Sequence, residues 1–370
     1  MQVRVLVSDD QPDVLEAIRL LLKGSGHQAE IADSPRAALD AAEKGPFDVV
    51  LIDMNYSRDT TSGEEGLALL DQLLERDGSV PVIVMTAWSN VDLAVEAMRR
   101  GAVDFIQKPW DNARLLATIE KQADRSRQRK TAKNDLEIAR HIQQRLLPQH
   151  VYALKTIAYG GRCLPAREIG GDYYDFLELG PGRLGVLLAD VSGKGVAGAL
   201  LTANLQASFR SQLELGVRHP KALIASVNKL FHESTPAEYF ATMFFAEYRD
   251  QGRELRYINC GHPAALLARA GGAIERLEAT ALPLGIFGAL KCEEKSVTLS
   301  PGDVLLICSD GVTEAGIERG EEFGEARLIA ALRGSRGDVD SLLDSLASEV
   351  LRFSAGALSD DVTVVALQSI

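Results

Sequence analysis

Asp9, Asp10, Asp53 and Lys108 make one set of residues able to do chemistry in this chain, and Asp172, Asp190, Asp310 and Asp360 make another. Three of these acids end short apolar runs: VVLI before Asp53, LGVLLA before Asp190 and VLLICS before Asp310. A buried strand that ends in a carboxylate presents an anionic metal ligand at the rim of a rigid sheet. A single case means little, because Asp favours turns. Several in one chain point to magnesium or manganese chemistry.

The elements that must carry these acids follow from hydrophobic patterning. From Val3 to about Lys121, the apolar runs VRVLV, AEIA, DVVLI, VPVIVMT and DFIQ alternate with amphipathic stretches such as PDVLEAIRLLLKG and GEEGLALLDQLLERDG. This βαβα order predicts a doubly wound α/β domain, a parallel sheet with helices on both faces. Its ligand site belongs at the carboxyl ends of the strands, where Asp9, Asp10, Asp53, Thr86 and Lys108 all fall. After Pro148 the texture changes to strand-like segments (RLGVLLADV, YFATMFFAEYR, ELRYINCG, DVLLICSDG, DVTVVALQ) with helical patterns between them. A second, α+β domain of mostly antiparallel sheets flanked by helices is expected there.

Between the two lies a helix with no evident stop, since residues 114–149 hold no Gly and only Pro148. The expected domains are therefore 1–121, a helical linker over 122–147, and 148–370. Ala132, Leu136, Ala139, Gln143 and Leu146 follow a 4-3-4-3 spacing, a thin coiled-coil seam. Two readings stand for this stretch: a solvated linker, or a signalling helix that pairs with its copy in a homodimer.

Composition limits the function classes. At 370 residues, two domains are the natural expectation. A net charge of −12 argues against a nucleic-acid surface, which needs clustered Lys and Arg. The apolar runs are too short for a membrane span, and MQVRVLVSDD reads as a first strand, not a signal peptide. Cys163, Cys260, Cys292 and Cys308 form no C-x-x-C pair, which fits a cytoplasmic protein without disulfide or thiolate-metal design. Cys163 also lacks the C-x5-R arrangement of a thiol phosphatase.

Two acids after strand one, a lone Asp after strand three, a hydroxyl after strand four and Lys-Pro after strand five resemble the response-regulator receiver domain, a flavodoxin-like fold. The resemblance implies that Asp53 is the phosphoacceptor for a histidine kinase or phosphotransfer protein. It implies that Asp9, Asp10, Asp53 and the carbonyl of Asn55 hold Mg²⁺. Thr86, Phe105 and Lys108 become the switch residues, with Lys108 ahead of a cis bond to Pro109. The segment NYSRDTTSGEEG after Asp53 is longer than a tight receiver loop.

The second half carries LEIARHIQQRLLP, GGDYYDF, ADVSGKGVAGALLTA, FATMFF, NCGHPAALL, SDGVTEA and SDDVTVV, in that order. This set resembles the metal-dependent type 2C protein phosphatases, specifically the bacterial SpoIIE and RsbU-like branch, whose fold is a β-sandwich flanked by helices. The resemblance implies two Mg²⁺ or Mn²⁺ ions and in-line attack by water on a serine or threonine phosphate. Asp190 would bridge the ions, with the Val191 carbonyl and Asp172 on the first and Asp310 and Asp360 on the second. Asp361 is the runner-up to Asp360, and Lys194 is a potential phosphate contact. His262 reads more readily as a loop residue than as a general acid. By the same resemblance the substrate is a phosphorylated anti-anti-sigma-type protein, giving a cytoplasmic two-component regulator with a phosphatase output. The alternative is a catalytically silent, phosphatase-like module that sequesters a regulator. A DNA-binding regulator would predict a small basic output domain, and a hybrid kinase would need a nucleotide motif that this sequence lacks.

Overall fold

The computed structural model describes residues 2–56, 62–87, 91–148, 154–334 and 337–370. The chain divides into two compact units, Met1–Asp135 and Leu136–Ile370. Residues 57–61 of the long segment after Asp53 lie outside the described residues.

In the first unit, strands β1 (Arg4–Ser8), β2 (Gln28–Ala32), β3 (Val49–Asp53), β4 (Val82–Ala87) and β5 (Asp104–Lys108) alternate with helices α1 (Pro12–Gly24), α2 (Pro35–Lys44), α3 (Glu64–Arg76) and α4 (Val91–Arg100), and α5 (Asn112–Gln144) follows. The five strands are parallel in the order β2-β1-β3-β4-β5. Both faces of the sheet are covered. Val5, Val7, Leu51, Ile83 and Met85 pack with Leu15, Ile18, Leu115 and Ile119 of α1 and α5. The alternate residues Leu6, Val50, Ile52, Val82 and Val84 pack with Leu69, Leu70 and Ala97 of α3 and α4. The period of two is present, but both halves of it are apolar, which is why these strands read as continuous hydrophobic runs. Local signals fix the helix starts: Ser34 caps α2 by accepting the Ala37 N–H, with Pro35 in the first turn.

α5 runs for 33 residues, and the division between the units falls inside it. Its first part is tied to the first unit. Gln122 donates to Asp104, Ser126 to the Ser79 carbonyl, and Arg127 pairs with Asp48.

The second unit contains strands β6 (Ile157–Leu164), β7 (Asp172–Gly180) and β8 (Arg183–Val191), helices α6 (Val196–Glu214) and α7 (Pro220–Ser234), and strands β9 (Ala241–Arg249), β10 (Glu254–Cys260), β11 (Ala265–Ala268), β12 (Ile274–Leu277), β13 (Lys295–Thr298) and β14 (Val304–Cys308). Helices α8 (Asp310–Thr313), α9 (Gly324–Gly334) and α10 (Val339–Phe353) and strand β15 (Val362–Ser369) complete it. Two five-stranded antiparallel sheets form, β13-β10-β9-β8-β7 and β12-β11-β14-β15-β6. Val186, Leu188, Phe244 and Ala246 of one sheet meet Leu305, Ile307, Val365 and Leu367 of the other in the central core. The opposite face of the first sheet, with Leu187, Ala189 and Phe245, is covered by Leu205, Phe209, Val227 and Phe231 of α6 and α7. Leu306 and Val364 on the outer face of the second sheet are covered by Leu328, Leu343 and Leu346 of α9 and α10. The result is a four-layer helix-sheet-sheet-helix sandwich. Among the described residues, no helix is long and apolar enough to cross a membrane.

Candidate functional site

Two acidic centres form, one in each unit. In the first unit β1 and β3 are adjacent, so their carboxyl ends bring Asp9, Asp10 and Asp53 together. One ligand atom from each lies within 4.8 Å of the others. Asp9 and Asp53 are buried. Lys108, at the end of β5, reaches Asp9 Oδ2 at 2.5 Å and Asp53 Oδ1 at 3.0 Å. Burial pushes the Asp53 carboxyl up to about 6, against the pull of Lys108 and with a further push from Asp9. One ammonium facing three acids leaves negative charge uncompensated, and hard oxygen donors in this number suit Mg²⁺. Asn55 Oδ1 is buried without a partner beside them. Thr86 is buried at the end of β4, Phe105 on β5 is half-exposed, and the Lys108–Pro109 bond is cis as expected.

In the second unit the acids come from both sheets. Asp172 opens β7 and stands directly opposite Asp190 near the end of β8. Asp310 follows β14, and Asp360 precedes β15, its antiparallel neighbour. Gly311 allows those last two segments to close: a Cβ there would collide with the Asp361 carbonyl oxygen. The acids repel one another. Burial, then Asp310, Asp360 and Asp361, push Asp190 up to about 7, with Lys194 opposing. Burial and Asp190 hold Asp172 well above the carboxylate range, and burial and Asp360 raise Asp310. Asp172 Oδ2 is buried and makes no hydrogen bond. This donor set fits divalent cations, although its carboxylates are less tightly gathered than those of the first centre: among the described residues, Asp9, Asp10 and Asp53 are the one group with three ligand atoms inside 4.8 Å.

Asp360 and Asp361 have separate tasks. The Asp361 carboxylate accepts the N–H groups of Ala166 (2.8 Å), Gly171 (2.6 Å) and Asp172 (3.4 Å), so its oxygens are used in holding the GGD segment. A Cβ at Gly170 would strike that carboxylate, so Gly170 permits its close approach. Asp360 remains half-exposed and pairs with Lys194 at 2.7 Å. Lys194 also donates to the Ser359 carbonyl, so here it partners Asp360. Val191 ends β8, its N–H directed to the Gly171 carbonyl at 3.4 Å.

His262 is buried. Its backbone N–H donates to Asn259 Oδ1, and its Nδ1 lies 3.0 Å from the Thr242 hydroxyl. Burial pushes its imidazole down to about 3, which leaves it neutral and holding a loop.

The sequence reading did not single out the residues that brace this centre. Thr202, Gln206 and Arg210 recur every four residues along one face of α6. Thr202 donates to the Gly171 carbonyl at 2.7 Å, Gln206 donates to the Leu146 carbonyl, and Arg210 pairs with buried Asp175 at 2.7 Å. Gln143 at the end of α5 bonds both backbone groups of Gly170. The four-residue spacing of Thr202, Gln206 and Arg210 beside the apolar Leu205 and Phe209 was the available signal.

Within this unit Gln143 is bonded to Gly170, and the Leu146 carbonyl accepts from Gln206, while of the other seam residues Ala132 is exposed and Leu136 and Ala139 are partly exposed. The exposed apolar side chains of the segment are Ile138 and Ile142, 52% and 59% accessible.

Residues 180–369 match the family model of Stage II sporulation protein E (SpoIIE), and residues 5–120 match that of the response regulator receiver domain. Phosphoserine phosphatase RsbU of Bacillus subtilis is 31% identical over 241 residues, spanning 64% of this chain and 70% of RsbU. Phosphoserine phosphatase RsbP of the same organism is 29% identical over 185 residues, spanning 49% of this chain and 46% of RsbP. The structure of the SiaA-PP2C domain of Pseudomonas aeruginosa shares the fold of the second unit, with a TM-score of 0.56 at 21% identity, covering 65% of this chain and 98% of that domain.

Proposed function

The chain belongs to the SpoIIE family of PP2C-type protein serine/threonine phosphatases, with a receiver domain ahead of the phosphatase, and from that premise we propose that phosphorylation of Asp53 controls dephosphorylation of a phosphoserine or phosphothreonine on a regulator protein. The observation that carries the reading is the convergence of Asp172, Asp190, Asp310 and Asp360 from two sheets, with the carboxyls of Asp172, Asp190 and Asp310 pushed up by burial and by neighbouring acids, and one nearby ammonium.

In the receiver, Asp9, Asp10, Asp53 and the Asn55 carbonyl would hold Mg²⁺. The Asp53 carboxylate attacks the phosphoryl group of a histidine kinase or phosphotransfer protein. Lys108, already shared between Asp9 and Asp53, pairs with a phosphoryl oxygen, and Thr86 and Phe105 adjust around the product. In the phosphatase, Asp172, Asp190, the Val191 carbonyl, Asp310 and Asp360 would hold two Mg²⁺ or Mn²⁺ ions. When bound, these supply charge neutralisation and an activated water for in-line displacement. Asp361 keeps the GGD backbone in register, and Lys194, which pairs with Asp360, would be the cationic side chain available to a substrate phosphate when Asp360 holds an ion. The substrate is an anti-anti-sigma-type protein, the class suited to partner-switching control.

Coupling runs through α5. Its first part is fixed to the receiver by Gln122, Ser126 and Arg127, and its last turn is fixed to Gly170 by Gln143. Homodimerisation through this helix would use the Ile138 and Ile142 face.

The test is manganese-dependent hydrolysis of a phosphoserine protein by wild type, Asp190→Ala and Asp53→Ala, with and without acetyl phosphate. Loss of turnover in Asp190→Ala, and loss of only the acetyl phosphate response in Asp53→Ala, supports the assignment. A wild-type protein that binds its phosphoprotein but never turns it over favours the silent, sequestering module instead.

A further inference from the structure

The Tyr56 hydroxyl lies 2.8 Å from the Ser8 hydroxyl and 3.4 Å from the Ser8 carbonyl oxygen. Tyr56 is 2% exposed and Ser8 0%, so neither hydroxyl has water as an alternative partner. Ser8 is the last residue of β1, directly before Asp9 and Asp10, and Tyr56 directly follows Asn55. The pair therefore ties together the two backbone segments that bear the first acidic centre. The Tyr56 ring packs with Met54, Leu67 and Leu70 in the apolar cluster beneath α3, which leaves its hydroxyl as the part aimed at β1.

We propose that Tyr56 is a positioning residue for the receiver's cation: its bond to Ser8 holds the Met54–Tyr56 turn against the end of β1 and so sets the Asn55 carbonyl relative to Asp9 and Asp10. The inference rests on reading this centre as the Mg²⁺-dependent phosphoacceptor site. Mg²⁺ demands near-ideal octahedral geometry at about 2.0–2.1 Å, so a small displacement of one oxygen is felt in affinity. Outer partners that orient metal ligands typically carry about 10–100-fold in affinity. Tyr56→Phe keeps the ring and its packing but strands the Ser8 hydroxyl. Ser8→Ala removes the hydroxyl–hydroxyl bond from the other side and leaves the longer contact to the Ser8 carbonyl.

The experiment titrates Mg²⁺ into the full chain, followed by tryptophan fluorescence. It uses an Asp190→Ala background to remove the second centre's contribution and Asp53→Ala as the control that identifies the receiver's signal. Melting temperature is recorded in parallel. Tyr56→Phe and Ser8→Ala are each expected to raise the half-saturating Mg²⁺ concentration by about 10-fold. The double variant should be no worse than Tyr56→Phe alone, because Tyr56→Phe already removes every bond that Ser8→Ala removes. The Mg²⁺ concentration needed for Asp53 phosphorylation by acetyl phosphate should rise in step, with the saturated rate kept. Half-saturation unchanged within about twofold in both single variants, with only the melting temperature lowered, would overturn the proposal and leave a structural bond. A wild-type chain with no Mg²⁺ response removable by Asp53→Ala overturns the reading of the centre and the inference with it.

Discussion

Gln143 satisfies both backbone groups of Gly170: its amide donates to the Gly170 carbonyl at 2.6 Å, and its side-chain oxygen accepts the Gly170 N–H at 3.1 Å. One side chain of the long helix thus fixes the residue two before Asp172. The Gly171 between them is held by Thr202 and Asp361. On the proposed reading, a turn or shift of the helix end would reach the rim of the second acidic centre through this backbone. Gln143→Leu keeps helix propensity and bulk while removing both bonds. The ratio of phosphatase rates with and without acetyl phosphate should fall toward one, while the extent of Asp53 phosphorylation stays at the wild-type level. An unaltered ratio would mean that the helix does not act through Gly170.

Removing one charge from the second centre should separate stability from catalysis. Asp190 faces Asp172, Asp310, Asp360 and Asp361, and Lys194 is the cation that opposes them. Asp190→Asn should lower turnover by about 10³-fold or more, since the carboxylate proposed to hold the cations would be lost. The same substitution should raise the melting temperature of the metal-free phosphatase, by about 2–4 °C for each kcal/mol of repulsion relieved. It should also abolish the stabilisation that Mn²⁺ gives the wild type. Calorimetry with and without Mn²⁺ reads all of this, and a melting temperature that falls in the metal-free state would contradict the repulsion argument.

The acids of both centres were legible in sequence because each ends or opens an apolar run, and strand ends are where a rigid sheet can afford a carboxylate. Strand β7 was less legible. DYYDFL is buried on both faces, so it shows no alternation, and nothing in the sequence marks Asp175 as the buried partner of Arg210. The short strand β12 and helix α9 carried too few periodic positions to stand out. The roles of Asp360 and Asp361 could not be separated in sequence, because the difference lies in backbone donors nearly 200 residues away: 195 positions for Ala166 and 190 for Gly171. Gln143 sat at a seam spacing that reads the same whether its partner is a second helix or a glycine 27 residues on. Periodicity reports that a helix face is occupied. It does not report by what.

Asp175 is fully buried and shares its two oxygens among Tyr173, Arg210 and the Phe176 N–H. Arg210→Met keeps much of the arginine stem but leaves the carboxylate without its cation. Breaking a buried pair costs about 3–5 kcal/mol, and the half-exposed position of Arg210 argues for a smaller loss, about 2 kcal/mol. Because the pair braces α6 against β7 and lies outside the metal centre, the thermal loss should come without a large change in saturated turnover. Adding Asp175→Asn to Arg210→Met should recover part of the melting temperature. If the double variant is less stable than Arg210→Met alone, the uncompensated carboxylate is not the cause.

His262 gives the chain an acid limit that does not depend on the metal ligands. Its imidazole is pushed from the ordinary value near 6.5 down to about 3 by burial, with Thr242 and Asn259 as its neighbours by hydrogen bond. Between those two values the unfolded chain carries a proton at this position and the folded chain does not. The unfolded state therefore binds more protons, and stability must fall as pH falls through this window. The contribution is fully retained above about pH 7 and declines by about 1.4 kcal/mol per pH unit below 6.5. Thermal unfolding of the full chain from pH 7.5 to 5, in chelator to keep the metal centres out of the comparison, should show this slope for the second unit. His262→Gln offers an uncharged side chain at the same hydrogen-bonding position, lowers stability at pH 7.5 through imperfect packing, and removes the part of the slope owed to His262. A variant whose melting temperature falls with acid as steeply as the wild type would show that His262 is protonated in the fold, and that its pairing with Thr242 involves a charged ring.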